Sequence, residues 1–513
     1  MQIELINVTA RTISFRISDG GKFFLKNKNE ARIFLNGKYH MNSVKKVVTL
    51  YNLSHDTDYE ICAENNFSEK SNVLKTRTKN ISHIINIKEL GAVGDGKKDN
   101  TLLIQTAINI APENSLIEIS EGNYLTGPVF LKDNMTLEIK KGASLIGKEN
   151  REDYPVLPAD IYNANGQKTY LGSWEGEPNE CFASLISVIN VRNVNIIGEG
   201  TINGNSRYDT WWERAKEKRI AWRPRTIFIL NSENITVEGL EVKNSPSWTV
   251  HPIFSRNIKL INLYIENPKD SPNTDGIDPE SCENMEITGV EFSVGDDCIA
   301  IKSGKGKIAR EIGIPSRNIK IKDCYMKFGH GAVVIGSEMS GGIEEIHIKD
   351  CIFEETDRGV RLKTRRGRGG TIDGIYVKDI LMEKVKTPFV INEFYFCDID
   401  GKEEYVWSKE LKEVTEETPK IRNILLENIE CFNSEVSAGF VYGLPESKIE
   451  NIELKKIRVT FSENPKEDFP AMMSFIEKKK KSGFYFHNVK NLKIEDVCVQ
   501  DIMDEEIMKY NVE

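Results

Sequence analysis

Four short clusters of polar residues follow one another along the second half of the sequence. They are Asn273-Thr-Asp275, Gly295-Asp296-Asp297, Gly329-His330-Gly331 and Arg361-Leu-Lys363. Paired carboxylates can protonate a leaving oxygen and deprotonate a water, a histidine can handle protons, and two cations can hold a carboxylate. Turns rich in asparagine and aspartate would explain any one cluster. Four clusters in this order favour a hydrolytic site.

The clusters lie within a loose repeat of short β-branched strands. Its copies begin Arg192-Asn-Val, Glu233-Asn-Ile, Arg256-Asn-Ile, Glu283-Asn-Met, Arg317-Asn-Ile, Arg422-Asn-Ile and Lys490-Asn-Leu. The first five copies lie 23 to 41 residues apart and the last two follow at longer intervals; the shortest intervals match one coil of a parallel β-helix, and the longer ones imply loops or unrecognised rungs. A single coil cannot bury its aliphatic row, whereas stacked coils form a continuous core. We therefore expect residues 81–513 to form an all-β, right-handed parallel β-helix; the L-x-x-L-x-L spacing of leucine-rich repeats is missing.

The stacking would bring the carboxylates together. Asp275 and Asp296 are about 21 residues apart, close to one coil. Since rungs are spaced about 4.8 Å apart, these carboxylates should lie one or two rung spacings apart. Gly295 makes a bend plausible that would let Asp296 and Asp297 face the same side. Three clustered carboxylates cannot all ionise cheaply, so the pKa of one of them should rise.

A helix is expected just before the first coil. The segment from Asp99 to Ile110 begins with a capping residue and places Leu103, Ala107 and Ile110 on one face. This helix would cap the first coil and cover its exposed edge.

Residues 1–80 have a different character, with short strands of alternating polarity. The segment from Leu53 to Tyr59 resembles the tyrosine corner of fibronectin type III sandwiches. We expect a small, fibronectin type III-like β-sandwich here, serving as a spacer or docking module.

Composition narrows the possible partners and the compartment. The net charge of −9 argues against nucleic-acid binding, and no apolar run is long enough for a membrane span. Nine scattered cysteines suggest neither disulfides nor a zinc site, and the first residues lack a secretory signal pattern, so a cytoplasmic location is expected. The run from Arg358 to Arg368 carries six cations and no acid, which predicts local attraction of an anionic polymer.

The ordered clusters resemble the signature motifs of glycoside hydrolase family 28, the polygalacturonase family. The likeness covers roughly residues 83–500, including the entry segment Gly91-Ala-Val-Gly-Asp-Gly. The resemblance implies a pectin-lyase-like β-helix and inverting hydrolysis of α-1,4-galacturonosidic bonds in polygalacturonate or oligogalacturonates, with no metal and no cofactor. In an inverting enzyme, about 6.5–9.5 Å separates acid from base, which leaves space for a water.

The resemblance also assigns roles to residues. Asp296 would be the general acid, Asp275 and Asp297 would hold and deprotonate the water, and His330 would support the acid. Substrate-binding positions would be Asn273, Arg361, Lys363 and Tyr395. Lys302 and His251, each on an expected rung near the aspartates, are further substrate-contact candidates.

A long insertion, roughly Arg151 to Glu180, contains Tyr154, Trp174 and Pro178, which suit an ordered wall. The loop Gly336–Gly342 also resembles bacterial exo-type members, so we expect chain ends to be trimmed. Rhamnogalacturonan and xylogalacturonan hydrolases are neighbouring possibilities, although the Arg361 and Lys363 pair favours plain galacturonate. Two rival functions stay open at this point: a Ca²⁺-dependent eliminase like the pectate lyases, and a non-catalytic adhesin or carbohydrate-binding β-helix.

Overall fold

The computed structural model of the protein describes residues 1–20, 26–162, 166 and 168–513. Its first part consists of two small antiparallel sheets. One sheet contains Gln2–Val8, Ile13–Ser18 and Val47–Leu50, and the other contains Lys38–Lys45, Lys26–Leu35, Asp58–Asn65 and Leu74–Arg77. Apolar residues of both sheets, among them Phe15, Ile33 and Ile61, meet in one buried core. The expected small N-terminal β-domain is therefore present.

Tyr59 occupies the position that the tyrosine corner predicts. Its ring lies in the buried core, and its hydroxyl oxygen accepts a hydrogen bond from the backbone N–H of Ser54 at 2.9 Å. This bond ties the loop before the strand to the strand itself. The assignment to the fibronectin type III class stays a prediction.

The remainder of the chain winds into a parallel β-helix, which confirms the predicted fold. Three stacks of parallel strands form its sides. The first stack contains Ile84–Asn86, Ser115–Ile119, Met135–Ile139, Arg192–Gly198, Glu233–Glu238, Arg256–Ile261, Glu283–Thr288, Ser316–Lys322, Ile343–Glu354, Thr371–Glu383, Lys420–Ser434, Ile449–Phe461 and Ser482–Val499. The second contains Asp95–Asp99, Gly122–Thr126, Ala143–Gly147, Thr201–Asn203, Glu241–Lys243, Tyr264–Glu266, Glu291–Val294 and Tyr325–Phe328, and is continued by the later parts of the long strands.

The third stack carries the predicted site. It contains Val129–Phe130, Ile186–Ile189, Ile227–Leu230, Val250–Ile253, Ile299–Ile301, Val333–Gly336, Arg358–Lys363, Thr387–Asn392, Ser437–Tyr442 and Ile507–Val512. Single bridges through Ile277 and Glu280 continue the stack between Val250–Ile253 and Ile299–Ile301. All these rungs are parallel and in register, so outward side chains form columns along the axis.

Helices and hairpins decorate the β-helix. The helices are Thr101–Ile110, Gly306–Ile312, Glu404–Trp407 and the 3₁₀ turn Arg151–Asp153. The hairpin pairs are Val156–Leu157 with Cys181–Phe182, Ile161–Tyr162 with Lys168–Thr169, and Ser173–Trp174 with Glu177–Pro178. Within the described part of the chain, no helix has the length and apolar character needed to cross a membrane.

The helix Thr101–Ile110 packs against the first coils, as expected, but with a different face. Ile104, Ala107 and Ile108 are buried, whereas Ile110 is 61% exposed. The predicted face was therefore wrong at Ile110, because the helix starts at Thr101 and turns Ile104 and Ile108 toward the core.

Aliphatic columns fill the interior of the β-helix. Leu137, Ile196, Val237, Leu260 and Ile287 stack in register on successive rungs of the first stack, and all are fully buried. Each such side chain contributes roughly 1.5–3 kcal/mol through removal of apolar surface from water. The core of each rung is thus completed by the rungs above and below it.

The asparagine of each repeat forms a ladder on the outside of the turn before the first stack. The amide of Asn193 donates to the side-chain oxygen of Asn134 at 2.8 Å, and Asn234 donates to Asn193 at 3.0 Å. Asn257, Asn284 and Asn318 continue this row, and a second row joins Asn423, Asn451 and Asn491. Every one of these asparagines has a φ between 53 and 60°, a left-handed conformation that asparagine tolerates better than other side chains do.

The N-terminal domain lies along the outside of the β-helix and is attached by buried polar contacts. Arg16 lies 2.7 Å from the buried carboxylate of Asp323, and the amide of Asn7 donates to the carboxylate of Glu238 at 2.9 Å. Burial raises the pKa of Glu238. The two parts therefore share a fixed interface on a side of the solenoid away from the predicted site.

We expect Asn451→Ala to destabilise the protein by about 2 kcal/mol, since it loses ladder hydrogen bonds and strains a left-handed backbone (φ 58°). Asn451→Gly should destabilise the protein less, because glycine adopts this φ without strain. Chemical denaturation of both variants measures the difference. Equal losses in the two variants would show that backbone conformation contributes nothing here.

Candidate active site

The three predicted aspartates converge on one side of the third stack. Asp275 precedes the rung of Ile277, and Asp296 and Asp297 occupy the bend before the strand Ile299–Ile301. One oxygen from each carboxylate lies within 4.8 Å of the others. For these nearest oxygens that is about one rung spacing, at the short end of the predicted range.

Glycines of the motifs make this close approach possible. A Cβ atom on Gly329, whose φ is 77°, would lie 2.2 Å from the carbonyl oxygen of Asp296. A Cβ on Gly295 would lie 2.6 Å from the carbonyl oxygens of Pro268 and Ser271. Both distances are far inside van der Waals contact, so glycine is the residue that fits at these two turns.

Two cations flank Asp297. The ammonium of Lys363 lies 2.8 Å from Asp297 Oδ2, and the guanidinium of Arg361 lies 3.9 Å from Asp297 Oδ1. Both cations also face the ring of Tyr395, at 5.3 and 5.4 Å from its centroid. Because Arg361 and Lys363 alternate on the strand Arg358–Lys363, their side chains project the same way, as predicted.

His330 contacts Asp296 from the outer side. Its Nδ1 lies 3.2 Å from Asp296 Oδ1, and the backbone N–H of Asp297 donates to the same oxygen at 3.0 Å. The hydrogen bond with Asp296 raises the pKa of His330, although burial opposes this shift. In the resting site His330 therefore forms a charged pair with Asp296.

The carboxylates differ in their affinity for protons. Burial, and then the charges of Asp296 and Asp278, raise the pKa of Asp275 well above its usual range. For Asp296, burial is outweighed by the hydrogen bond and charge of His330 and by Lys363, which lower the pKa to about 2. The expectation that one pKa rises therefore holds, but in the unliganded site that carboxyl is Asp275.

Asn273 and Lys302 line the same cavity as the aspartates. Arg223 donates to the side-chain oxygen of Asn273 at 2.7 Å and thereby fixes the orientation of its amide. The ammonium of Lys302 lies 3.1 Å from Glu338 and over the ring of Trp248 at 4.6 Å. Both predicted substrate-contact positions are thus at the site.

His251 is not at the surface of the cavity, which corrects the expectation that it contacts substrate. The side chain is fully buried beneath Trp248 and Phe228. Its Nδ1 accepts a hydrogen bond from Arg225 at 3.3 Å, and its Nε2 lies 2.9 Å from Glu280. Burial lowers the pKa of His251 well below its usual range, so the neutral ring is part of the support beneath the site.

The sequence reasoning missed Asp278 and Glu338. Asp278 is fully buried beside Asp275, its carboxylate lies 3.8 Å from Lys302, and among the described residues neither of its oxygens has a hydrogen-bond partner. Burial raises the pKa of Asp278 well above its usual range. Strand alternation around the inward-facing Ile277 was the signal that could have identified it.

The basic run from Arg358 to Arg368 differs from its prediction. Arg366 forms two hydrogen bonds with the buried carboxylate of Glu446, at 2.6 and 2.9 Å, and Arg358 donates to the carbonyl oxygen of Phe469 at 2.6 Å. Of the six cations, only Lys363, Arg365 and Arg368 line the cavity. With Arg361 beside Asp297, four of the six cations lie at the site, whereas Arg358 and Arg366 support the fold because they find partners far away in the sequence.

The site opens into a cavity of about 1060 Å³. The insertion contributes the hairpin Ser173–Trp174 and Glu177–Pro178 to its wall; positions 163–165 and 167 of the insertion lie outside the described residues. Trp174 stacks on Trp222 with ring centroids 4.4 Å apart and planes 5° from parallel. The expected ordered wall is therefore present among the described residues of the insertion.

Lys305 connects this hairpin to a second loop. Its ammonium lies 3.0 Å from Glu177 and 3.1 Å from Asp398, and its backbone N–H donates to the carbonyl oxygen of Gly176 at 3.0 Å. Arg368 also lies 2.5 Å from Asp398. Hairpin and loop thus form one continuous wall on one side of the cavity.

Three clustered carboxylates are also the donor type that Ca²⁺ binds. Here, however, the ammonium of Lys363 already bonds Asp297, and Lys302 adds a second positive charge beneath the cluster. These cations compete with a metal ion for the same oxygens. The arrangement suits acid–base chemistry with protons better than it suits a divalent ion.

Sequence comparison gives an independent result. The family described as "Glycosyl hydrolases family 28" matches residues 172–472, and "Rhamnogalacturonase A/epimerase, pectate lyase-like" matches residues 84–221. A "Probable polygalacturonase" of Vitis vinifera is 33% identical over 62% of this chain and 65% of its own length, a little less than two thirds. An exo-poly-alpha-D-galacturonosidase of Dickeya chrysanthemi is 27% identical, over 72% of this chain and 68% of its own length. An endo-polygalacturonase of Pectobacterium carotovorum is 30% identical, over 58% and 72%.

Solved structures agree with the fold. A hyperthermoactive exopolygalacturonase from Thermotoga maritima superposes with a TM-score of 0.67 at 25% identity, covering 82% of this chain and 92% of that one. A family 28 exopolygalacturonase from Yersinia enterocolitica gives a TM-score of 0.72 at 19% identity, covering 100% and 98%. The second similarity extends over the N-terminal domain as well.

We expect NMR titration of the imidazole of His330 to give a pKa above 6.5, because the carboxylate of Asp296 stabilises the charged ring. In Asp296→Asn the pKa of His330 should fall, since the hydrogen bond and charge of Asp296 are lost while burial and the charges of Asp297 and Asp357 remain. His347, which is 45% exposed, provides the control signal. If the pKa of His330 is the same in Asp296→Asn as in the wild type, the charged pair between His330 and Asp296 is contradicted.

Proposed function

Because the chain belongs to glycosyl hydrolases family 28, we propose that it hydrolyses the α-1,4-galacturonosidic bonds of polygalacturonate and oligogalacturonates from the chain end. The carrying observation is the wall built by the insertion hairpin and the loop around Asp398 across Lys305, beside the three aspartates. Different residues support the hydrolytic chemistry and the attack from the chain end.

The acid step is assigned to the pair of Asp296 and His330. The carboxylate of Asp296 favours the protonated form of His330, and the contact of 3.2 Å allows that proton to pass to Asp296. As the bond between the anomeric carbon and the glycosidic oxygen breaks, Asp296 gives this proton to the leaving oxygen. This route explains how a carboxylate with a low resting pKa serves as an acid.

The water is assigned to Asp275 and Asp297. Burial and the neighbouring carboxylates favour the protonated form of Asp275, which can donate a hydrogen bond that orients the water, while Asp297 accepts the water's proton. The water oxygen forms the new bond to the anomeric carbon from the face opposite to the leaving group. Inversion of the anomeric configuration is the consequence.

Substrate recognition is assigned to Lys363, Arg361 and Tyr395. The two cations lie at 9% and 6% side-chain exposure, so a galacturonate carboxylate meets them largely out of water, where charge-assisted hydrogen bonds are strong. When the substrate carboxylate engages Lys363, Asp297 loses part of its pairing and becomes a better base. Substrate binding and activation of the base are thus coupled.

The exo mode rests on the wall. A chain lying across the cavity from end to end would have to pass between Trp174 and the segment around Asp398, which Lys305 holds together. A chain end, by contrast, fits against this wall and places its first linkage beside Asp296. The exo-acting Dickeya and Thermotoga relatives support this mode, and the endo-acting Pectobacterium relative defines the alternative outcome of the test.

Asp296→Asn should lower kcat on trigalacturonate by at least about a thousandfold while binding is retained, because both the acid and its charge are lost. Asp209→Asn, at an exposed carboxylate that is 75% accessible, is the matched control and should retain full activity. Reducing-end assays measure the turnover, and proton NMR of the first products reveals the anomer. Near wild-type turnover in folded Asp296→Asn removes the acid assignment, and a product of retained configuration removes the water assignment.

The wild-type enzyme should release reducing ends with little loss of polygalacturonate viscosity. Lys305→Ala should increase the viscosity lost per bond cleaved, because hairpin and loop separate and a chain can enter from the side. Lys307→Ala, on the same helix but 78% exposed, should behave as wild type. A rapid collapse of viscosity with the wild-type enzyme means internal cleavage and contradicts the exo mode.

A further inference from the structure

A second groove lies on a different face of the molecule from the catalytic cavity. It has a volume of about 640 Å³ and shares no lining residue with that cavity. One wall is the asparagine ladder from Asn134 to Asn318, and the opposite wall is the N-terminal domain with Asn7, Ala10 and Lys79. Its floor is a column of outward residues on the first stack, including Thr136, Thr236, Lys259, Glu286 and Lys320.

The ladder presents unused hydrogen-bonding groups to this groove. A carboxamide has two N–H donors and two acceptor lone pairs. Each ladder bond, such as the one from Asn234 to Asn193 at 3.0 Å, uses one donor of one residue and one lone pair of the next. With rungs about 4.8 Å apart, six asparagines present a repeating row of donors and acceptors over roughly 24 Å. Such a row suits a linear polymer rich in hydroxyl groups.

The charge of the groove favours an anionic polymer. Its lining carries the ammonium groups of Lys79, Lys259 and Lys320 and one carboxylate, Glu286, on a chain with net charge −9. Lys259 donates to the carbonyl oxygen of Ile6 at 3.3 Å, which holds it near the N-terminal domain. Partial burial and the charge of Lys259 lower the pKa of Lys79, although the carboxylate of Glu238 opposes this shift, which indicates that the two like charges are held close together. A carboxylate between them would relieve this repulsion.

The position of Lys79 is fixed by the backbone. Its N–H donates to the carbonyl oxygen of Thr9 at 3.0 Å, and its carbonyl oxygen accepts from the N–H of Asp56 at 3.1 Å. Two residues later, Ile81 packs with Ala10 and Leu116 in a small buried cluster between the two domains. The link between domains is therefore rigid, and the groove is a permanent feature that needs both domains.

We propose that this groove is a second binding site for polygalacturonate, which holds the polymer while its end is processed in the catalytic cavity. The proposal rests on the proposed function for its ligand, and it assigns the N-terminal domain a binding role. A weak second site raises the effective concentration of chain ends near the cavity, so its benefit appears on polymer and not on short oligomers.

The test uses full-length Asp296→Asn protein and polygalacturonate coupled to beads, with excess trigalacturonate filling the catalytic cavity. Binding to the beads should persist under these conditions and weaken as salt is added, since the contacts are charged. Lys79→Ala combined with Lys320→Ala should raise the Kd for the beads at least about fivefold. The pair Lys490→Ala and Lys493→Ala, on the last strand of the same stack, is the matched control and should change the Kd less than about twofold. Beads that carry a neutral polysaccharide should bind none of the proteins.

Binding of polygalacturonate by the groove is ruled out if the beads retain no protein in the presence of trigalacturonate, or if both pairs of lysine substitutions weaken binding equally. The same lysine substitutions in the active enzyme should leave kcat/KM for trigalacturonate unchanged and lower it for polymer. If the unmodified active enzyme fails to hydrolyse trigalacturonate, the proposed function fails, and the bead assay still decides the groove. Thermal melting checks that the variants are folded, which we expect because the two substituted lysines, Lys79 and Lys320, lie at the surface.

Discussion

The parallel hydrogen bonds that place each rung directly above the previous one determine where every outward side chain lies. Asp275, Asp296 and Lys363 are separated by many residues of sequence, yet they meet because their rungs are neighbours in the third stack. The asparagine ladder supports this register from the turn, since each amide reaches the equivalent residue of the next coil. A slip of one residue would reverse the facing of a whole rung and would separate the carboxylates from their cations.

On the rungs held in this register, the site brings opposite charges together where little water reaches them. Three carboxylates close together would repel one another strongly without Lys363, Arg361 and Lys302 around them. The positive charges are not shared evenly: Lys363 pairs with Asp297 and His330 pairs with Asp296, whereas burial and the neighbouring carboxylates raise the pKa of Asp275. Unequal neighbours thus give three chemically identical side chains three different tasks.

The sequence was sufficient to predict the structural features that repeat along the chain and those whose residue spacing equals one coil of the β-helix. The β-helix, the meeting of Asp275 with Asp296 and Asp297, and the common direction of Arg361 and Lys363 all followed from periodicity. Properties that depend on distant partners could not be predicted. The carboxylate that pairs with Arg366 is Glu446, 80 residues later, so the whole basic run was predicted to attract an anionic polymer. His251 was expected to contact substrate because the sequence around it does not show that Trp248 and Phe228 cover it. Asp278 was missed because the sequence does not show that it is buried.

The wall of the cavity is made from a segment inserted between two rungs, and the rungs on either side of it pair as if it were absent. Met135–Ile139 and Arg192–Gly198 are neighbours in the first stack, although the whole insertion lies between them. Lengthening, trimming or exchanging such a segment leaves the coil register and the carboxylates where they are. Evolution can therefore change how a polymer is presented to this scaffold without reinventing how its bond is broken. For protein engineers, exchanging the hairpin together with the loop around Asp398 is a way to alter how a polymer is presented without touching the carboxylates.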